Sequence, residues 1–402
     1  VHQNFPGQFR HLAPTLLTAG HDVTAIGINN NPVPKGIEII RYQPKRGNTP
    51  NIHPWLLDME SKAIRAEALF HTALKLKNEG YYPDAVIAHP GWGEALFIKD
   101  VWPHTKLALY GEFYYQADGT DAKFDPEFAS ESIAEACRLR MKNAGQDLQF
   151  AQADAVICPT LFQCSVLPTH VQQITTVIHD GIDTDLLRPN PNAELRLNNN
   201  IVLNKDSEII TFVNRNLEPM RGYHIFMRAL PNILKARPNA RVIIVGGDDV
   251  SYGSKPPTGT TWKQLFLNEV RGQLDMSRVH FVGKIAYANF IKLLQISTVH
   301  VYLTYPFVLS WSLLEAMSAG CAIVASDTAP VKEVIDHNVE GKLVNFFDKE
   351  GLTKHIVSLL ENPDERKQLG EAARSHVKQT YDLDSICLPR QIEWITKLSS
   401  LN

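Results

Sequence analysis

Between Tyr302 and Asp327 the chain reads Tyr-Leu-Thr-Tyr-Pro-Phe-Val-Leu-Ser-Trp-Ser-Leu-Leu-Glu-Ala-Met-Ser-Ala-Gly-Cys-Ala-Ile-Val-Ala-Ser-Asp. An apolar strand runs into a short proline-containing loop, and a helix follows. Ser318, Ala319 and Gly320 close the helix, and Ala322 to Ala325 resume a buried strand. Strand, loop, helix, tight turn and strand together make a crossover between parallel strands, so the stretch fixes an α/β class.

The same alternation runs along most of the chain. Strands are expected at 21–27, 37–42, 83–89, 106–110, 155–158 and 175–178, with helices at 9–19, 57–78 and 131–153 between them. A second run has strands at 209–214, 240–247, 279–283, 299–303 and 322–326, and a helix at 222–235. Leu186 to about Asp206 is rich in Pro and Asn without a clear period, and is the expected linker. Asp248 to Thr261, rich in Gly, Pro, Ser and Thr, reads as a long mobile loop, and 385–398 as a terminal helix. These readings give an N-terminal domain at 1–190, a second at 191–384 and a last helix at 385–402.

A chain of 402 residues suits two domains. Forty basic and forty-three acidic residues give a net charge of −3, so nucleic acid is not an expected partner. The five cysteines are scattered and not in CxxC spacing, which fits reduced thiols and a cytoplasmic protein and argues against a zinc site. No apolar run approaches the roughly 18 residues of a membrane span. The opening Val1-His-Gln-Asn-Phe-Pro-Gly-Gln-Phe places a glycine loop after one apolar residue, and a few strand residues are expected to precede Val1.

A helix's first turn has unpaired N–H groups and the positive end of the helix dipole, so it suits phosphate. The candidates are the amides of Leu309, Ser310, Trp311 and Ser312, with two hydroxyls beside them. Glu315 lies about one turn deeper, and its carboxylate can accept both hydroxyls of a ribose. The Ser312-x-x-Glu315 spacing also fits an ordinary capping box.

This arrangement resembles the nucleotide-sugar half of the glycosyltransferase family 4 enzymes. The resemblance implies the GT-B fold: two Rossmann-like, doubly wound domains facing across a cleft, with the terminal helix crossing back to the first domain and a hinge near Tyr381. In that family the helix N-terminus receives the diphosphate and the glutamate grips the ribose. Arg215, after the strand 209–214, and Arg221, before Gly222, stand where the family clamps the diphosphate. Guanidinium is bidentate and permanently charged, and would stabilise the leaving group in place of a metal. The turn Gly283-Lys284-Ile285 resembles the place where main chain holds the nucleobase, and Gly7 the glycine that lets backbone approach the donor. The opening loop and Glu112–Tyr115 resemble a bacterial branch tied to surface polysaccharide.

Two positions depart from the family. Phe307 stands eight residues before Glu315, where many members carry a glutamate for the donor sugar; a phenyl wall would fit a less hydroxylated sugar. Glu112, after the strand 106–110, stands where many members have histidine, and would bind a sugar or take the acceptor's proton. His89, Trp92 and Tyr114 are the acceptor-side candidates, with Glu94 beside them and His89 the next candidate for the catalytic group. Asp183-Thr-Asp185 and Asp382-Leu-Asp384 match a short metal-binding pattern but read as turns and caps.

The expected function is therefore retaining transfer of a sugar from a UDP- or GDP-sugar to a saccharide or lipid-linked hydroxyl. No metal and no cofactor are expected, and the protein would work in the cytoplasm, with peripheral contact at the membrane's inner face. A nucleotide-sugar epimerase and a non-catalytic nucleotide-sugar-binding protein are the alternatives on the same fold.

Overall fold

The computed structural model describes residues 1–130, 132–197 and 201–400. The chain forms two compact units: Val1–Gly181 with the segment from Asp384 onward, and Ile182–Leu383.

In the first unit, β1 (Thr24–Gly27) and β2 (Glu38–Arg41) pair in parallel. β3 (Ala85–Ala88), β4 (Lys106–Tyr110), β5 (Ala155–Cys158) and β6 (Thr175–Val177) form a parallel four-stranded sheet in chain order. Val1 and His2 join the two sheets: Val1 N–H donates to the Ile87 carbonyl, the Val1 carbonyl accepts from His89 N–H, and His2 N–H donates to Ile26. Leu69, Ala73, Ile98, Leu107 and Leu109 are fully covered and make the core. The expected helix 9–19 is shorter, a 3₁₀ turn Gly7–Phe9 followed by Leu12–Thr18. Pro14 has no N–H to give and sits in the first turn of Leu12–Thr18, where that N–H would have no partner within the helix. A helix covers Ile133–Phe150; Glu131, where it was expected to begin, lies outside the described residues. The terminal helix Leu388–Ser400 belongs to this unit, where it packs against Leu12–Thr18, and Gln391 donates to the His179 carbonyl at 2.8 Å.

The second unit opens with a small hairpin, β7 (Leu195–Arg196) and β8 (Val202–Leu203). Six parallel strands then build one sheet: β9 (Ile209–Asn216), β10 (Arg241–Gly247), β11 (Val279–Gly283), β12 (Val299–Tyr302), β13 (Ala322–Ser326) and β14 (Lys342–Val344). Their order is β11-β10-β9-β12-β13-β14, so the chain reverses direction across the sheet between β9 and β12. That is the topological switch point, where the carboxyl ends of two neighbouring strands splay apart and leave a crevice.

Two expectations are corrected. The Pro/Asn-rich segment is not a linker: the units divide at Gly181/Ile182, and Leu187, Ala193, Leu195 and Leu203 are buried in the core of the second unit. Apolar residues spaced through a polar stretch anchor it; residues 198–200 lie outside the description. The loop 248–261 is also held. The Glu218 carboxylate, 1% exposed, accepts the backbone N–H groups of Ser251, Tyr252 and Gly253 at 3.2–3.4 Å. A buried carboxylate needs such donors, and the loop supplies three.

Candidate active site

The second unit's site lies at the switch point. After β9 the chain turns through Pro219–Arg221 and Gly222 into the helix Tyr223–Ala236. Gly222 has φ +69°, and a Cβ there would stand 2.3 Å from the Leu303 Cβ, so only glycine lets this turn press against the end of β12. Arg221, 8% exposed, is thereby set under the loop after β12. Its guanidinium donates to Thr304 Oγ1 at 2.8 Å, the Val308 carbonyl at 3.1 Å and the Tyr302 hydroxyl at 3.4 Å. The rings of Phe307 and Tyr252 lie 5.7 and 5.9 Å from it. These partners are neutral, so the positive charge is solvated without being cancelled.

Phe307 is 1% exposed and packs on Tyr252, with ring centroids 5.0 Å apart. The phenyl wall expected to face a sugar is instead the buried seat of a guanidinium, because covering an apolar ring is favourable and Tyr252 packs over it. Arg215 is exposed; it donates to the Tyr252 hydroxyl at 3.3 Å, and its guanidinium is 5.9 Å from the ring. Both arginines thus meet at Tyr252, which the sequence reading passed over.

Ser310 is the N-cap of the helix Trp311–Ser318, and its hydroxyl lies 2.9 Å from that of Ser312. The capping box on Ser312 is therefore not the one that forms. Two of the expected phosphate-facing amides have partners here: Ser310 N–H donates to the Tyr302 hydroxyl at 3.0 Å, and Ser312 N–H makes a long 3.4 Å bond to Ser310 Oγ. Leu309 is buried, while Trp311 is partly open. Glu315, 9% exposed, accepts from the Tyr287 hydroxyl at 2.7 Å. Tyr287 opens the helix that follows the Gly283 turn (φ +65°), two residues after Ile285, whose side chain packs on the core.

The first unit gathers a different cluster at its own strand ends. Glu112 Oε1 accepts from Gln8 Nε2 at 3.2 Å, and Oε2 lies 3.4 Å from His89 Nε2. Gln8 Oε1 lies 2.7 Å from His2 Nε2. The tautomers follow from the backbone. Asn4 N–H donates to His2 Nδ1 at 3.0 Å and Gly91 N–H to His89 Nδ1 at 3.1 Å, so each neutral ring carries its proton on Nε2. His89 Nε2 lies beside the carboxylate without a hydrogen bond to it, while His2 reaches it through Gln8. Burial, with His89 beside it, lowers the His2 pKa to about 3, so that ring stays neutral. Gly7 has φ +46°, and a Cβ there would stand 2.4 Å from the His2 ring. The glycine is thus needed by a histidine neighbour.

Trp92 packs beside both rings, 4.9 Å from His2 and 4.6 Å from His89. The other acceptor-side candidates turn elsewhere. The Tyr114 hydroxyl donates to Asp147 at 2.9 Å, and burial with that bond pushes its pKa up to about 12. Glu94 is 1% exposed and accepts from the Tyr42 hydroxyl at 2.6 Å; burial raises its pKa. It faces the core, where its tyrosine donor is. The Asp-x-Asp pairs work as caps and ties: Asp183 accepts from Leu186 N–H at 2.8 Å, and Asp382 from the Thr184 hydroxyl at 2.5 Å.

The "Glycosyl transferase family 4 group" matches residues 19–187, and "Glycosyl transferases group 1" matches 196–376. The chain belongs to the glycosyltransferase family 4 group. Among curated proteins this family 4 chain is 23% identical over 235 residues to the D-inositol 3-phosphate glycosyltransferase of Segniliparus rotundus, 58% of this chain and 50% of that one. It is 27% identical over 175 residues to the phosphatidyl-myo-inositol mannosyltransferase of Mycolicibacterium smegmatis, 42% and 40%. In both, the match spans half or less of the relative's length. Among solved structures, the sucrose-phosphate synthase of Thermosynechococcus elongatus aligns with TM-score 0.74 and 20% identity, covering 99% of this chain and 95% of that one. Anabaena HepE in complex with UDP and glucose aligns with TM-score 0.67 and 15% identity, covering 98% and 96%. The fold is GT-B. No helix among the described residues is long and apolar enough to cross a membrane.

Proposed function

We propose that this chain transfers a sugar, with retention and without a metal ion, from a nucleotide-diphosphate sugar to a hydroxyl acceptor. The observation that carries the reading is Arg221. A permanently charged guanidinium is buried at a sheet's switch point, held only by neutral partners among those found, beside a helix N-terminus and a glutamate one turn deeper. That set matches a nucleoside diphosphate: cation and helix end for the phosphates, carboxylate for the ribose. Arg221 and Arg215 would stabilise charge on the departing diphosphate, which is the work a metal does elsewhere. The capping roles of Asp183 and Asp382 support a metal-free site.

In the first unit, Glu112, held by Gln8 and set beside His89, would touch the sugar or accept a proton, with Trp92 as an apolar platform near it. Tyr114 enters this reading through the loop it anchors. HepE was solved with UDP and glucose, which supports a UDP-sugar donor. A relative named for phosphatidyl-myo-inositol supports a lipid-linked acceptor, which would bring the enzyme to the cytoplasmic face of a membrane. An epimerase would need several acids and bases around the sugar ring, and no observation favours it.

The test is calorimetric binding of UDP, GDP and their nucleosides. Arg221→Ala is expected to weaken the diphosphate by roughly 10–100-fold, the scale of bonds to a charged group, and the nucleoside little. Glu315→Ala should weaken both alike. Equal loss of nucleoside and diphosphate in Arg221→Ala would overturn the assignment. Sugar transfer should persist in excess chelator; loss restored by manganese would return the metal to the reaction.

A further inference from the structure

Glu315 does not stand alone in its helix. The Tyr287 hydroxyl donates to its Oε1 at 2.7 Å, and the two residues come from different helices. Glu315 is nearly covered, while Tyr287 is 41% exposed, so the tyrosine reaches the carboxylate from the solvent side. Its ring stacks on Phe290, with centroids 5.8 Å apart and planes 29° from parallel, which fixes the direction of the phenol. Two residues earlier is Ile285, at the turn expected to meet the nucleobase. Tyr287 therefore ties the base-side turn to the ribose-side carboxylate.

We infer that Tyr287 is a positioning residue that holds Glu315 ready for the two hydroxyls of a ribose and thereby sets the preference for ribonucleotides over deoxynucleotides. The inference rests on the proposed nucleotide reading of Glu315. A glutamate has three side-chain torsions, and bidentate acceptance of a diol requires one orientation of the carboxylate plane. A phenol O–H anchored through a stacked ring restricts that orientation before the ligand arrives, which removes part of the ordering cost of binding. An ionised carboxylate offers about four lone-pair directions, so the tyrosine bond and the ribose bonds are compatible.

The experiment compares dissociation constants of UDP and GDP with those of their 2′,3′-dideoxy counterparts, in wild type, Tyr287→Phe and Glu315→Gln. Tyr287→Phe keeps the ring and its stack and removes only the hydroxyl, at a position exposed enough that folding should be preserved. The ribonucleotide is expected to weaken roughly 3–10-fold in Tyr287→Phe, a part of one bond to a charged group. The dideoxy compound should change less than about twofold, so discrimination falls. If both ligands weaken equally, or neither does, while Glu315→Gln abolishes discrimination, Tyr287 does not position the carboxylate and the inference fails alone. If Glu315→Gln keeps full discrimination, Glu315 does not meet the ribose and the underlying reading fails with it.

Discussion

Arg221 in the second unit and Glu112 in the first are the charged groups around which each candidate site is built, and they are wrapped in opposite ways. Arg221 is 8% exposed and rests among hydroxyls, a carbonyl and two aromatic rings. The Glu112 side chain is 34% exposed and lies beside His89 and, through the Gln8 amide, His2. The difference follows from the groups. A guanidinium keeps its proton at any ordinary pH and is weakly hydrated, so it tolerates burial with its charge intact. A carboxylate is neutralised by burial unless N–H donors face it. A site that needs a permanent cation can hide it; one that needs an anion must keep it near water and aim donors at it.

The comparison breaks most readily at Glu112. Glu112→Gln keeps the shape and removes the charge, and is expected to lower sugar transfer roughly 100-fold, the scale of a lost general base or charge stabiliser. The dissociation constant for UDP should stay within about twofold, since the second unit's residues are assigned to the nucleotide. A wild-type rate would remove Glu112 from the reaction and make His89 the next candidate.

Acid sharpens the comparison, because each unit buries a neutral histidine. Burial lowers the pKa of His179 in the first unit and of His300 in the second to about 4. Below the unfolded pKa of about 6.5 the unfolded chain takes up protons that the folded one refuses. Their stabilising effect is thus complete above pH ~6.5 and is lost as pH falls toward 4, by up to roughly 3 kcal/mol for each. Urea midpoints at pH 7 and 4.5 measure this. His300→Gln should flatten the slope for the second unit alone, and an unchanged slope would refute the assignment. The smallest effect is expected at Ser310. Ser310→Ala removes an N-cap and should cost the second unit about 1 kcal/mol, read as a lower urea midpoint, with no change in the first. No change in either would mean that the Ser310 hydroxyl is dispensable to the helix.

How much of this was legible in the sequence also differs between the units. The second was readable because its signals are local: Arg221 beside Gly222, and Ser310 to Glu315 within one helical turn or two. What was missed there came from afar. Tyr252, Tyr287 and Tyr302 are ordinary tyrosines until the sheet brings them to Arg221 and Glu315, and Glu218 looks like a loop carboxylate until a loop closes on it. Phe307 stands out in the sequence as a departure from the family, but its surroundings do not, since sequence does not show which loop will cover a ring. In the first unit nearly everything was distant. His2, Gln8, His89 and Glu112 span more than a hundred positions, and Gly7 could not be read as clearance for a histidine before the ring's place was known. The partners of Tyr114 and Glu94, Asp147 and Tyr42, were not legible, because composition gives a side chain's chemistry but not its direction.

The division of the chain also sets an order of assembly. The second unit is one uninterrupted stretch, Ile182–Leu383, while the first is made of two pieces, and the helix Leu388–Ser400 that completes it lies near the end of the chain. During synthesis the first unit is translated early but finished late, when that helix leaves the ribosome and docks on Leu12–Thr18. Until then the early helix lacks its contact with Leu388–Ser400, while the second unit already has every residue it needs. The unit begun first is therefore completed after the second.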